Sequence, residues 1–359
     1  MLEPFRIHVA DKVLDDLRTR LRRTRWPNQI AGIEWKQGTE LEWLQGLVGY
    51  WAEEFDWRAW ERRLNALHHF TWEGIHFVHQ RALSGVRMPL ILTHGWPGSF
   101  LDYIEMLPML ENFDVVLPSL PGYGFSPRPL EVGINYRHVA ERWHKLMSEL
   151  GYSRYAAAGY DFGAGVTTVL ALDHPQSVIG IHLTTLESDL TPLVDDAELS
   201  DAERSYLKVN RAWDLTERGY SAIQSTKPQT VGYGLNDSPV GLAAYLGEKW
   251  HSWSEVTPPA DFLCATFTLY WVTQTITSSM RDYWDNRWHP IERAYVKTPT
   301  AFGVFAKQKV PECEPPRSYL ERVYNIERWT VFPHGGHFAP AEHPVAVAED
   351  LNGFFKGRS

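Results

Sequence analysis

The pentapeptide Gly159-Tyr160-Asp161-Phe162-Gly163 limits what this chain can fold into more than any other stretch. Small residues two positions before and after a central functional group mark a sharp strand-to-helix turn. The glycines there let the backbone crowd close enough to hold one strained, exposed side chain. The flanks agree with that reading. Tyr155-Ala156-Ala157-Ala158 can form a buried strand, and the following run from Ala164 to Ala171 has the small residues that close helix packing needs. The side chain presented is a carboxylate. A serine in its place would attack acyl carbons, whereas an aspartate suits displacement at an sp3 carbon, with an ester to the protein as intermediate. Such chemistry points to epoxides or alkyl halides.

Residues 1–87 read as a leading segment with helical periodicity over Val9–Arg23 and Leu41–Leu64. It ends in the alternating run Phe70–Arg81, whose break at Glu73-Gly74 signals a hairpin that opens a sheet. From residue 88 short apolar strands alternate with helical stretches, the sequence form of a mostly parallel sheet with both faces covered. The candidate strands are Leu90–Leu92, Val115–Leu117, Tyr155–Ala158 and Ile179–Leu183, and after a gap Ala301–Phe305 and Trp329–Phe332. The expectation is therefore one α/β core in two parts, residues 88–185 and 297–359. Between them residues 186–296 form a helical cap inserted over the carboxyl ends of the strands.

The 359 residues carry a net charge of -9 without a long basic run, which argues against nucleic acid or an anionic membrane surface as partner. Two cysteines, Cys264 and Cys313, are too few for a disulfide framework, and neither has metal-ligand spacing nearby. No signal peptide or long apolar span is recognisable, so the expectation is a cytoplasmic protein with neither metal nor cofactor. Of the 16 tryptophans and 16 tyrosines, most should pack the interior, and some should line a pocket for an apolar ligand.

His94-Gly95-Trp96-Pro97-Gly98-Ser99 directly follows the first parallel strand. A glycine-rich loop there, together with the nucleophile turn, is the layout of an α/β-hydrolase. In that layout the backbone N–H groups of Trp96 and Phe162 would form the oxyanion hole. Gly335-Gly336-His337-Phe338 follows the last candidate strand, where the chain order nucleophile, acid, histidine puts the base. Asp161 attacks as a carboxylate and gives up no proton, which leaves His337 to deprotonate the water that hydrolyses the ester. A third group, after Ala301–Phe305, should fix the histidine tautomer and stabilise the imidazolium. Glu312 and Glu314 both qualify on position.

Taken together, these pieces resemble a microsomal-type epoxide hydrolase of the soluble bacterial kind, over nearly the whole length. The likeness rests on the helical leading segment, His94-Gly95-Trp96-Pro97, Asp161, the stretches Gly219–Thr230 and Asp237–Leu242, Tyr270-Trp271, and Gly335–Ala339. The resemblance implies a two-step reaction in which two cap tyrosines, here Tyr220 and Tyr283, bind the epoxide oxygen while the aspartate opens the ring. It also implies an acid about 25 positions ahead of the histidine. Glu312 lies 25 positions ahead of His337, although the link Ala306–Pro311 is longer than the family's usual one. The expected partner is a small apolar epoxide, with a homodimer as one arrangement. Two rivals remain on the sequence. A haloalkane dehalogenase would need a halide-binding indole where Phe162 stands, and a catalytically silent binding protein would have no need of Asp161, His337, Tyr220 and Tyr283 together.

Overall fold

The structure, a computed structural model, describes residues 1–83, 87–187, 196–292, 294–311 and 314–358. Its centre is a nine-stranded sheet of order β1-β2-β3-β5-β4-β6-β7-β8-β9. The first three strands, β1 (Leu2–Pro4), β2 (His69–Trp72) and β3 (Ile75–Gln80), pair antiparallel with one another, and β3 joins the rest antiparallel. The remainder, β4 (Met88–Thr93), β5 (Phe113–Pro118), β6 (Tyr155–Gly159), β7 (Val178–Leu183), β8 (Val296–Phe305) and β9 (Tyr324–Phe332), are parallel. Leu90, Ile91 and Leu92 of β4 have no exposed surface, as expected of a parallel strand buried on both faces. The hairpin of β2 and β3 turns at Glu73 and Gly74, both at positive φ (49° and 80°), the backbone that matches the twist of adjoining strands.

The leading segment holds α1 (Asp11–Arg22), α2 (Leu41–Glu53) and α3 (Trp57–Leu64). The helical periodicity of 41–64 is thus cut in two, because Asp56 accepts a hydrogen bond from Arg58 N and starts a new helix. Strand β1 has too short a signal to be read from the sequence; it forms because β2 offers it an edge. Within the core, α4 (Tyr136–Glu149) packs on α5 (Phe162–Asp173), and α5 lies across β4, β6, β7 and β8.

Between β7 and β8 the chain runs through α6 (Asp201–Glu217), α7 (Gly219–Gln224), α8 (Pro228–Asp237), α9 (Pro239–Trp253), α10 (Ala260–Thr273) and α11 (Ile276–Trp288). The leading segment grips these helices through aromatic side chains. Trp35 stacks on His251 at 3.6 Å, Trp51 Nε1 donates to Thr268 Oγ1 at 2.8 Å, and Trp60 Nε1 donates to Asp261 Oδ2 at 2.8 Å. The chain closes with α12 (Arg317–Leu320), α13 (Ala339–Glu342) and α14 (Pro344–Phe355). Among the described residues no helix is long and apolar enough to cross a membrane.

Candidate active site

Strands β4 and β6 run side by side, with Thr93 opposite Gly159, so the loop after one and the turn after the other emerge together at their carboxyl ends. Asp161 sits at the turn with φ 52°, a conformation that costs a non-glycine residue energy and persists only where its surroundings impose it. Close packing imposes it here. A Cβ on Gly163 would lie 2.0 Å from the Thr93 carbonyl, and one on Gly159 would lie 2.3 Å from the Gly163 carbonyl. The two glycines allow the strand, turn and helix to meet, and Asp161 is thrown outward at the N-terminus of α5.

One carboxylate oxygen is already held. Asp161 Oδ1 accepts hydrogen bonds from Trp96 N at 2.8 Å and Phe162 N at 2.7 Å. These are the two amides expected of an oxyanion hole, and both donate to the same oxygen. The other oxygen, Oδ2, faces His337, whose Nε2 lies 3.4 Å away. His337 is buried, and its main-chain N–H donates to Trp253 O at the end of α9. Its neighbours on both sides are gathered by Glu342, which accepts from Gly336 N at 3.2 Å and Phe338 N at 3.0 Å. Glu342 therefore fixes the loop that presents the imidazole. No spacing rule marks it in the sequence, because it acts through backbone amides.

Tyr220 on α7 and Tyr283 on α11 stand over the same two residues that supply the amides. The Tyr220 ring stacks on Trp96 with centroids 5.4 Å apart, and Tyr283 meets Phe162 edge-on at 4.7 Å. The two tyrosine rings are 5.8 Å apart. Burial, with Asp161 nearby, pushes both phenols above their ordinary range, although Arg218 pulls Tyr220 part of the way back. Both therefore stay protonated at neutral pH and able to donate. The Lys249 ammonium of α9 lies 4.4 Å from the Tyr220 ring centroid, a cation–π contact that braces that ring.

His94, the remaining histidine of the loop motif, has a structural role. Burial lowers it to about 4, and its Nε2 accepts from Leu120 N at 3.1 Å, which keeps it a neutral acceptor. Of the two candidates for the third triad member, Glu312 lies outside the described residues. Glu314 is exposed and, among the described residues, forms no ion pair with a histidine. The structure thus brings Asp161, His337, Trp96, Phe162, Tyr220 and Tyr283 to one place, from segments far apart in the chain.

The comparisons with known proteins agree in kind. Residues 2–103 match the family described as "Epoxide hydrolase N terminus", and residues 88–301 match "alpha/beta hydrolase fold". A Stigmatella aurantiaca protein provisionally named an epoxide hydrolase is 37% identical over 379 residues, covering 99% of this chain and 85% of its own. Epoxide hydrolase 1 of Sus scrofa is 33% identical over 404 residues, covering 98% of this chain and 88% of its own. Among solved structures, Aspergillus niger epoxide hydrolase superposes with a TM-score of 0.90 at 30% identity, covering 100% of this chain and 97% of that one. The juvenile hormone epoxide hydrolase of Bombyx mori gives 0.89 at 30% identity, covering 99% of this chain and 94% of that one.

Proposed function

This chain belongs to the epoxide hydrolases of the α/β-hydrolase fold, and we propose that it hydrolyses a small apolar epoxide to a vicinal diol through a covalent ester on Asp161. The observation that carries the reading is the division of labour at Asp161. Its Oδ1 is held by two amides, which leaves Oδ2 as the free nucleophile beside His337. In the first step Oδ2 forms a bond to an epoxide carbon, the ring C–O bond breaks, and Tyr220 or Tyr283 gives its proton to the released oxygen. In the second step His337 takes one proton from a water molecule as its oxygen adds to the ester carbon. The charge gathers on Oδ1, against the amides of Trp96 and Phe162. Collapse breaks the acyl C–O bond. Of the two protons of the water, one ends on the departing diol and one returns to the phenol.

Glu312 is the acid we assign to His337; the exposure of Glu314 supports that choice over the alternative. The helices between β7 and β8 serve as the cap, since Tyr220 and Tyr283 both come from them. Phe162 supports epoxide over halide as substrate, because a phenyl ring beside the nucleophile has no N–H for a halide ion.

A single turnover of styrene oxide in 18O-labelled water tests the ester. The first diol should carry unlabelled oxygen and the label should enter the peptide containing Asp161. Label in the first diol would mean that water attacks the epoxide directly. Asp161→Ala should abolish turnover, and Asp161→Asn should do so until deamidation, visible by mass, restores the carboxylate.

A further inference from the structure

Asp102 takes no part in the proposed chemistry, yet it sits behind the active site with 1% of its surface exposed. It closes a single 3-10 turn, Phe100–Tyr103, that follows the His94–Ser99 loop. Its Oδ2 accepts from Ser99 N at 2.9 Å and, through a short hydrogen bond, from the hydroxyl of Tyr160. Tyr160 is the residue before Asp161. One carboxylate oxygen therefore bridges the two segments that carry the oxyanion donors: Trp96 lies three residues before Ser99, and Phe162 two residues after Tyr160.

The surroundings are shaped for this bridge. A Cβ on Gly98 would fall 1.9 Å from Asp102 Oδ2 and 2.3 Å from the Tyr160 hydroxyl oxygen, so only glycine leaves room for the contact. The Gly98 carbonyl accepts from Tyr270 of α10 at 2.8 Å, which holds the loop from above. Asp102 Oδ1 is buried without a hydrogen-bond partner among the described residues. Burial raises the carboxyl to about 7 against the opposing pull of Tyr160 and Ser99. A buried acid with an unpaired oxygen is a cost to folding that an apolar side chain would avoid. Its benefit must lie in what Oδ2 holds.

We propose that Asp102 is a positioning residue for ester hydrolysis, setting the separation of the Trp96 and Phe162 amides by tying Tyr160 to the oxyanion loop. The inference rests on the aspartyl-ester reading above. The second step is the sensitive one, because Oδ1 bears a full negative charge only in the tetrahedral intermediate, and misplaced donors stabilise it poorly.

Rapid quench of styrene oxide turnover, with the adduct on Asp161 followed by intact mass, separates ester formation from breakdown. Asp102→Ala and Tyr160→Phe should form the ester within about threefold of the wild-type rate but break it down roughly tenfold more slowly or worse, so that adduct accumulates. In steady state kcat and KM should fall together while kcat/KM holds. Asp102→Asn keeps an acceptor oxygen for both donors and should recover breakdown to within about threefold. Breakdown in folded Asp102→Ala and Tyr160→Phe at the wild-type rate would overturn the inference. So would equal slowing of both steps, or Asp102→Asn as slow as Asp102→Ala. Should Asp102→Ala fail to fold, Tyr160→Phe, which keeps its ring, decides. Absence of any adduct in the wild type would instead remove the ester reading and this inference with it.

Discussion

Tyr220 and Tyr283 are side chains whose neighbours, not their own identity, mark them for the role proposed above. Each packs on a residue that donates an amide to Asp161, so the phenols and the oxyanion donors are located by the same two rings, Trp96 and Phe162. In the proposed reaction either phenol would still donate to the epoxide oxygen when the other is removed. Tyr220→Phe and Tyr283→Phe should therefore each lose about 10- to 100-fold in kcat/KM, and the double variant about 10³-fold or more. A double variant no worse than the weaker single one would show that only one phenol reaches the substrate. Because burial pushes both phenols up, their ionisation should cause no alkaline loss of kcat/KM below about pH 10. A limb near pH 8 that disappears in Tyr220→Phe would contradict that.

At the scale of elements, one buried carboxylate ties α14 to two strands of the sheet, beside the apolar packing of Phe354 and Phe355. Asp350 accepts from His182 Nε2 of β7 at 2.8 Å, and from Arg328 Nε and Thr330 Oγ1 of β9 at 2.6 and 2.7 Å. Burial would raise this acid, but the hydrogen bond and charge of His182, with Thr330 and Arg328, outweigh it and hold the carboxyl at about 2, below its ordinary 3.8. A folded value below the unfolded one means that the contribution is present above about pH 5 and is lost as pH falls through the folded value. Asp350→Asn should cost about 3 kcal/mol at neutral pH, and its deficit in Tm against wild type should shrink as pH falls from about 4 toward 2. A deficit independent of pH would assign the effect to packing alone. None of this network is visible in residue order, since β7, β9 and α14 meet only after the sheet has formed. What was legible has local physics: the apolar runs of β4 to β9, the hairpin at Glu73-Gly74, and the small-residue pattern of the elbow at Asp161, although the carbonyl that crowds Gly163 belongs to Thr93 of β4. Strand β1 and the Asp102 bridge depend on partners distant in sequence, while Asp56 before α3 and Glu342 act on nearby backbone amides and their residue types are compatible with several structures.

Across the whole molecule, the leading segment is coupled to the active site through a short chain of contacts. A cavity of about 1130 Å³ lies between the stretch after α1 and helices α8 and α9, lined among others by Trp26, Ile30, Leu235, Ala244 and Tyr245. The leading segment holds the inserted helices beside it through polar contacts, such as Arg20 with Asp237 and Thr39 with the Ala244 carbonyl, and through aromatic side chains, of which Trp51 is one of the most deeply buried. Trp51 Nε1 bonds Thr268 on α10, and two residues further along the same helix Tyr270 bonds the Gly98 carbonyl of the oxyanion loop. Trp51→Phe keeps an aromatic ring but removes the indole N–H and part of the buried volume, leaving the Thr268 hydroxyl without that partner at a cost of roughly 1–3 kcal/mol, to which the smaller ring adds a cavity term. If the path is mechanical, the loss should appear locally. Hydrogen exchange should quicken in α10 and in the loop 94–99 while β4, β6 and β7 keep their protection, and kcat should fall severalfold in a protein still folded at the assay temperature. A lowered Tm with unchanged exchange in α10 and unchanged kcat would mean that the leading segment only stabilises the fold. In that case the placement of the oxyanion loop depends on contacts within the core, with Asp102 and Tyr160 foremost among them.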